Sequence, residues 1–126
     1  MTEAKKILIV DDEPDITKWL SVLFEENGYS IITAADGIEG MSKVEKELPD
    51  LITLDISMPE ESGVKMYRRL KDSEKTSHIP VIMLTGIMPE FKRFISSRKQ
   101  VPAPEAYFEK PVDKDELLKK IKELIG

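Results

Sequence analysis

The feature that most restricts the fold is an alternation, repeated five times along 126 residues, of a short aliphatic run with a longer stretch of helical period. The runs are 7–10, 31–35, 51–54, 81–84 and 106–108, and four of them are built mostly from Ile, Val and Leu. Runs of that kind suit strands covered on both faces of a parallel sheet. Between them, Ile16, Trp19, Leu20, Leu23 and Phe24 recur on one helical face, after Pro14 and before an Asn27-Gly28 stop. A second helix follows Asp36-Gly37 with Ile38, Met41, Val44 and Leu48 inward, until Pro49 ends it. A third starts near Gly63 and turns Val64, Tyr67 and Leu70 to one side. The last has Asp113 and Glu116 at capping-box spacing, then a stripe of Leu117, Leu118, Ile121, Leu124 and Ile125. The pattern predicts an α/β fold, a doubly wound parallel sheet whose right-handed crossovers place helices on both faces. Period alone leaves the strand order open. From Thr85 to Glu105 the pattern thins: Phe91, Phe94 and Ile95 make a brief stripe bracketed by Pro89, Pro102 and Pro104. A short fourth helix over 89–99 and an extended 100–105 segment are expected there.

Composition narrows the function classes. The length is one domain's worth, and no linker or repeat divides it, so 1–126 reads as a single domain. With 40% hydrophobic and 34% charged residues, the chain has enough apolar material for a core under a heavily charged exterior. The absence of cysteine excludes disulfides, thiolate metal sites and cysteine nucleophiles, and the lone His78 excludes a histidine-rich metal site. A net charge of −5 argues against non-specific nucleic-acid binding. No apolar run approaches the roughly 18 residues of a membrane span. Lys5-Lys6 leads only into Ile7-Leu8-Ile9-Val10 before Asp11-Asp12-Glu13, too short for a secretory signal. The expected location is the cytoplasm, without a membrane partner.

In doubly wound folds, ligands bind at the carboxyl ends of the strands. The first strand ends in Asp11-Asp12, with Glu13 after; the third in Asp55, the fourth in Thr85, the fifth in Lys110 before Pro111. Only the second contributes no such group, ending in the turn pair Asp36-Gly37. Carboxylates packed together repel one another unless a cation sits among them. Hard oxygen donors that leave room for water suit Mg²⁺. Carboxylates, Mg²⁺, a lysine and a hydroxyl make up a phosphoryl-transfer kit, in which a carboxylate can be the nucleophile. Asp55, single and central, is the candidate nucleophile. Each residue also has a plain explanation: Asp11-Asp12 as a helix cap, Asp55 as a turn former, Thr85-Gly86 as a loop, Lys110 as a surface cation. Their joint position at one end of the sheet favours a site.

These residues stand in four motifs: Val10-Asp11-Asp12-Glu13-Pro14, Leu54-Asp55-Ile56-Ser57-Met58-Pro59 with Gly63, Thr85-Gly86, and Tyr107-Phe108-Glu109-Lys110-Pro111. In that order and spacing, over nearly its whole length, the chain resembles the receiver domain of two-component response regulators, the single-domain phosphoacceptor type. The resemblance implies a five-stranded sheet in order 2-1-3-4-5 with five flanking helices, a flavodoxin-like arrangement. It implies that Asp55 accepts a phosphoryl group from a histidine kinase or histidine phosphotransfer protein, becoming an aspartyl phosphate. Asp12, Asp55 and the Ser57 carbonyl would bind Mg²⁺ directly, and Asp11 through water. Lys110 would hold a phosphoryl oxygen, Thr85 would move toward it, and Tyr107 would follow as the aromatic switch.

The chain departs from the family pattern in two places. Segment 100–105 replaces the usual turn before the fifth strand, and 91–99 carries Lys92, Arg93, Arg98 and Lys99. Ser57 and Ile87 occupy positions that tune phosphoryl loss, with Ile87 expected to shield the acyl phosphate. The basic cluster reads as a solvated or docking face. With no helix-turn-helix after the five units, direct nucleic-acid contact is not expected. A separate output protein is expected on the face of the fourth helix, fifth strand and fifth helix, or a second copy of the chain on phosphorylation. The kinase would read the first-helix surface, 16–26. The alternatives are a receiver excised from a longer regulator or hybrid kinase, and a scaffolding receiver that takes no phosphate. An aspartate-based phosphohydrolase would want an acid where Ser57 stands, and a nucleotide-binding domain would want a glycine-rich loop where Asp11-Asp12-Glu13-Pro14 stands. An enzyme acting on an external substrate is therefore not expected.

Overall fold

The computed structural model describes residues 4–86 and 103–126. Five strands, β1 (Lys6–Val10), β2 (Ser30–Ala34), β3 (Leu51–Asp55), β4 (Val81–Thr85) and β5 (Ala106–Glu109), form one sheet in the order β2-β1-β3-β4-β5. Every pairing is parallel. Among the described residues the helices are α1 (Pro14–Glu26), α2 (Gly37–Glu47), α3 (Ser62–Asp72) and α4 (Lys114–Ile125), with a 3₁₀ turn at Pro59–Glu61. The helix expected over 89–99, with its basic residues and Ile87, lies outside the described residues. The strand order that the resemblance implied is the one observed.

Alternation along the central strands splits the core into two layers. Leu8, Val10, Ile52, Leu54, Val81 and Met83 pack under α2 and α3 with Met41, Val44, Met66, Tyr67 and Leu70. Ile7, Ile9, Leu51, Ile82 and Leu84 pack under α1 and α4 with Leu20, Leu23, Phe24, Leu117 and Ile121. The near-continuous aliphatic runs are therefore buried on both sides.

Three side chains expected inside are not. Trp19 is 40% exposed, Ile38 80% and Leu48 64%. On α2 the buried face is instead Gly37, Gly40, Met41 and Val44. A Cβ at Gly40 would sit 2.6 Å from Met66 Sδ, so the small residues let α2 lie close against α3. That contact rotates Ile38 outward. Leu48 ends α2 in the left-handed region (φ 47°), its N–H still bonded to the Val44 carbonyl, and points into solvent. On α1, Leu20, Leu23 and Phe24 fill the core, and Trp19 lies at the edge of their stripe.

Side chains cap two of the helices, Asp113 as its spacing predicts and Asp36 from within the turn that the sequence marks before α2. Asp36 caps α2 by accepting from the Glu39 N–H at 2.8 Å, and Asp113 caps α4 by accepting from the Asp115 and Glu116 N–H groups. The short β5 is fixed at both ends. Glu105 Oε2 accepts the Val81 N–H at 2.9 Å where β5 begins, and the Lys110 N–H donates to the Thr85 carbonyl at 2.8 Å where it ends.

Candidate functional site

The carboxyl ends of β1, β3, β4 and β5 meet as the sequence predicts. Asp11 follows β1 directly, its N–H bonded to the Ala34 carbonyl of β2 at 3.1 Å. Its Oδ1 accepts the Glu13 N–H at 2.9 Å, which folds the turn back before α1. Asp11 therefore shapes the turn, while the residue at the helix cap, Glu13, makes no side-chain cap bond. Asp55 ends β3 and is buried, at 1% exposure. Its Oδ1 accepts both the Ser57 N–H at 2.8 Å and the Ser57 hydroxyl at 2.6 Å.

Gly63, which the sequence offers as a helix start and as part of the Asp55 motif, is what brings α3 this close. A Cβ there would run into the Asp55 backbone carbonyl. Only a glycine lets α3 begin directly against the end of β3.

Lys110 joins the strands. Its Nζ donates to Asp11 Oδ2 at 3.0 Å, Glu13 Oε1 at 3.0 Å and Asp55 Oδ2 at 3.3 Å. Carboxylate oxygens of Asp11, Asp12, Glu13 and Asp55 all lie within 4.8 Å of one another, with Asp11 and Asp55 buried and Asp12 and Glu13 exposed. The donor set is all hard oxygen and open on one side, which fits a divalent cation that keeps some of its water.

The electrostatics follow from this crowding. Burial pushes the Asp11 carboxyl up from 3.8 to about 6, and the Asp55 charge adds to the rise, while bonds from the Glu13 N–H and Lys110 pull it back. For Lys110, burial alone would favour the neutral amine. The bond to Asp11, the Asp55 charge and the bond to Glu13 outweigh it and hold the ammonium well above its ordinary range.

Thr85 is buried at the end of β4. Tyr107 is half-buried on β5 beside Met83, packed against the α2/α3 layer. Asp11, Asp12, Asp55, Ser57, Thr85 and Lys110 thus gather at one end of the sheet, with Tyr107 further back along β5. Two roles were not foreseen. Glu13 is a full member of the carboxylate group and a partner of Lys110, although its place next to Asp11-Asp12 was a visible signal. Ser57 acts on Asp55 through its side chain as well as standing two residues beyond it.

A five-stranded sheet with this order, carrying buried carboxylates and a lysine at its carboxyl end, defines a class of signalling domain. The family profile described as "Response regulator receiver domain" matches residues 7–122. The chain belongs to the response regulator receiver family. It is 36% identical over 123 residues to the DNA-binding dual master transcriptional regulator RpaA of Synechocystis sp., covering 95% of this chain and 48% of RpaA. It is 34% identical over 122 residues to the polar-differentiation response regulator DivK of Brucella ovis, covering 97% of each. The chemotaxis response regulator CheY4 of Vibrio cholerae superposes with a TM-score of 0.81 at 28% identity, covering 97% of this chain and 99% of that one. The chain thus spans about half the length of RpaA and nearly all of DivK. These relatives are signalling response regulators rather than enzymes. Among the described residues no helix is long and apolar enough to cross a membrane.

Proposed function

We propose that residues 1–126 act as one phosphoacceptor unit in which Asp55 takes a phosphoryl group from a histidine of a partner kinase or phosphotransfer protein. The observation that carries this reading is Lys110 Nζ, 3.3 Å from Asp55 Oδ2 and 3.0 Å from Asp11 Oδ2, where three strand ends converge. Asp55 Oδ1 is engaged by Ser57, so Oδ2 is the freer oxygen and the attacking one. As its bond to phosphorus forms, the phosphorus–nitrogen bond to the donor histidine breaks. The electron pair of that bond returns to the imidazole ring, which takes up a proton. The Lys110 ammonium lies where charge develops on the phosphoryl oxygens, with its low-dielectric surroundings strengthening the attraction.

Asp12, Asp55 and the Ser57 carbonyl would hold Mg²⁺, with Asp11 acting through water. When bound, the ion supplies positive charge that offsets the phosphoryl oxygens and the crowded carboxylates. The Thr85 hydroxyl would turn toward a phosphorylated Asp55, and Tyr107 would follow it. The result is a shift between two arrangements of the face that β5 and α4 share, where an output protein or a second copy would dock. Trp19 and Val22, 40% and 47% exposed on α1, offer apolar area to the histidine-bearing donor.

The test is intact-protein mass after incubation with acetyl phosphate, in Mg²⁺, in EDTA, and for Asp55→Ala. A gain of one phosphoryl group that requires both Mg²⁺ and Asp55 is expected. A gain that survives Asp55→Ala would place the acceptor elsewhere.

A further inference from the structure

The Lys110 ammonium has three N–H groups, and three carboxylates already take them: Asp11 at 3.0 Å, Glu13 at 3.0 Å and Asp55 at 3.3 Å. A lysine so engaged must release one partner before it can donate to a phosphoryl oxygen. The three are not equally easy to release. The Asp11 and Asp55 side chains are each 1% exposed, and both are pinned by their other oxygens, to the Glu13 N–H and to Ser57. The Glu13 side chain is 58% exposed, and among the described residues its carboxylate has no hydrogen-bonding partner other than Lys110. Water replaces a lysine partner most easily at an exposed carboxylate, where an ion pair contributes little.

We propose that Glu13 is a positioning residue that restrains Lys110 in the unphosphorylated protein and is displaced when the phosphoryl group arrives. It does so by occupying the lysine: its carboxylate competes for the N–H that the phosphoryl oxygen needs. Glu13 therefore slows phosphoryl uptake and shortens the time Lys110 spends on the acyl phosphate. This rests on the phosphoacceptor reading of Asp55.

The experiment compares wild type, Glu13→Gln, Lys110→Met and the double variant for the rate of phosphoryl uptake from acetyl phosphate. Mg²⁺ is saturating for each protein, as fixed by titration of Trp19 fluorescence, so that any change in metal affinity is removed from the comparison. Glutamine keeps the length and an acceptor oxygen while dropping the charge. Glu13→Gln is expected to take up phosphoryl about three- to fivefold faster than wild type, the size expected of an exposed charge pair. That gain should vanish in the Lys110→Met background, because it acts through the lysine. A purely structural role for Glu13 would move the melting temperature but not this coupling. Uptake by Glu13→Gln alone would also support the proposal. Equal rates for wild type and Glu13→Gln would overturn it while leaving Asp55 as acceptor. The same acceleration with and without Lys110 would overturn it too, by showing a general charge effect. No uptake by either protein would overturn both readings together.

Discussion

At the amino ends of the strands, Asp50 Oδ2 accepts the Lys6 N–H at 2.8 Å, Lys6 Nζ pairs with Glu47 at 3.1 Å, and Glu105 accepts the Val81 N–H at 2.9 Å. Lys71 adds a bond to the Ser77 carbonyl at 3.0 Å and an ion pair to Glu105 at 3.9 Å. At the carboxyl ends, four carboxylates gather within 4.8 Å of one another, and among the described residues Lys110 is the cation that pairs with three of them. One end matches each acid with a donor; the other leaves negative charge in excess and partly buried. The first arrangement closes a sheet, whereas the second holds charge in reserve for a ligand. Functional sites are commonly built at such a cost to stability.

The comparison can be broken first at Gly63, which lets α3 touch the end of β3. Gly63→Ala puts a methyl group into the Asp55 carbonyl, and backbone at that point cannot yield cheaply. A loss of about 3 kcal/mol is expected from such overpacking, together with slower phosphoryl uptake. Thermal melting and the acetyl phosphate assay check the two parts, and an unchanged melting temperature would refute the packing account.

The charge excess itself is sharpened by Asp11→Asn. The folded-state pKa of Asp11, about 6, lies above its ordinary 3.8, so the folded protein binds more protons than the unfolded chain between those values. Stability therefore falls as pH rises through that window, and the penalty is complete above about pH 7. In EDTA at pH 8, Asp11→Asn should gain about 1–2 kcal/mol over wild type, with no gain at pH 3.5. Saturating Mg²⁺ should erase the advantage. Urea unfolding at the two pH values measures it, and equal gains at both would mean that charge is not the cause.

The smallest effect belongs to the matched end. Glu105→Ala removes the acceptor of the Val81 N–H and is expected to lower stability by about 1 kcal/mol. Its phosphoryl uptake at saturation should match wild type, since Lys110 keeps its own bond to the Thr85 carbonyl. A large loss of uptake would show that the start of β5 governs Lys110.

Much of this molecule was legible from residue order because parallel strands buried on both faces carry unbroken aliphatic runs, and because Asp36 and Asp113 act through bonds to residues two or three positions away. Asp11, Asp12, Asp55, Thr85 and Lys110 were legible for a related reason. A parallel sheet brings all carboxyl ends to one edge, so a polar residue that closes a run is placed there by topology. Which helix faces turn inward was harder to see. Apolar period put Trp19, Ile38 and Leu48 inside, but the close contact of Gly37 and Gly40 with α3 rotated α2 otherwise, and nothing within the helix records what its neighbour will be.

The sequence by itself determined the elements, their parallel arrangement and the edge where the chemistry collects, since these depend on periodicity and chain direction. Tertiary structure alone decided that Lys110 divides its three N–H groups among Asp11, Glu13 and Asp55, and that Gly63 must lack a side chain. Those facts join residues as many as 99 positions apart, as in the Lys110–Asp11 bond. Their physical cause is distance in space, which no spacing along the chain encodes.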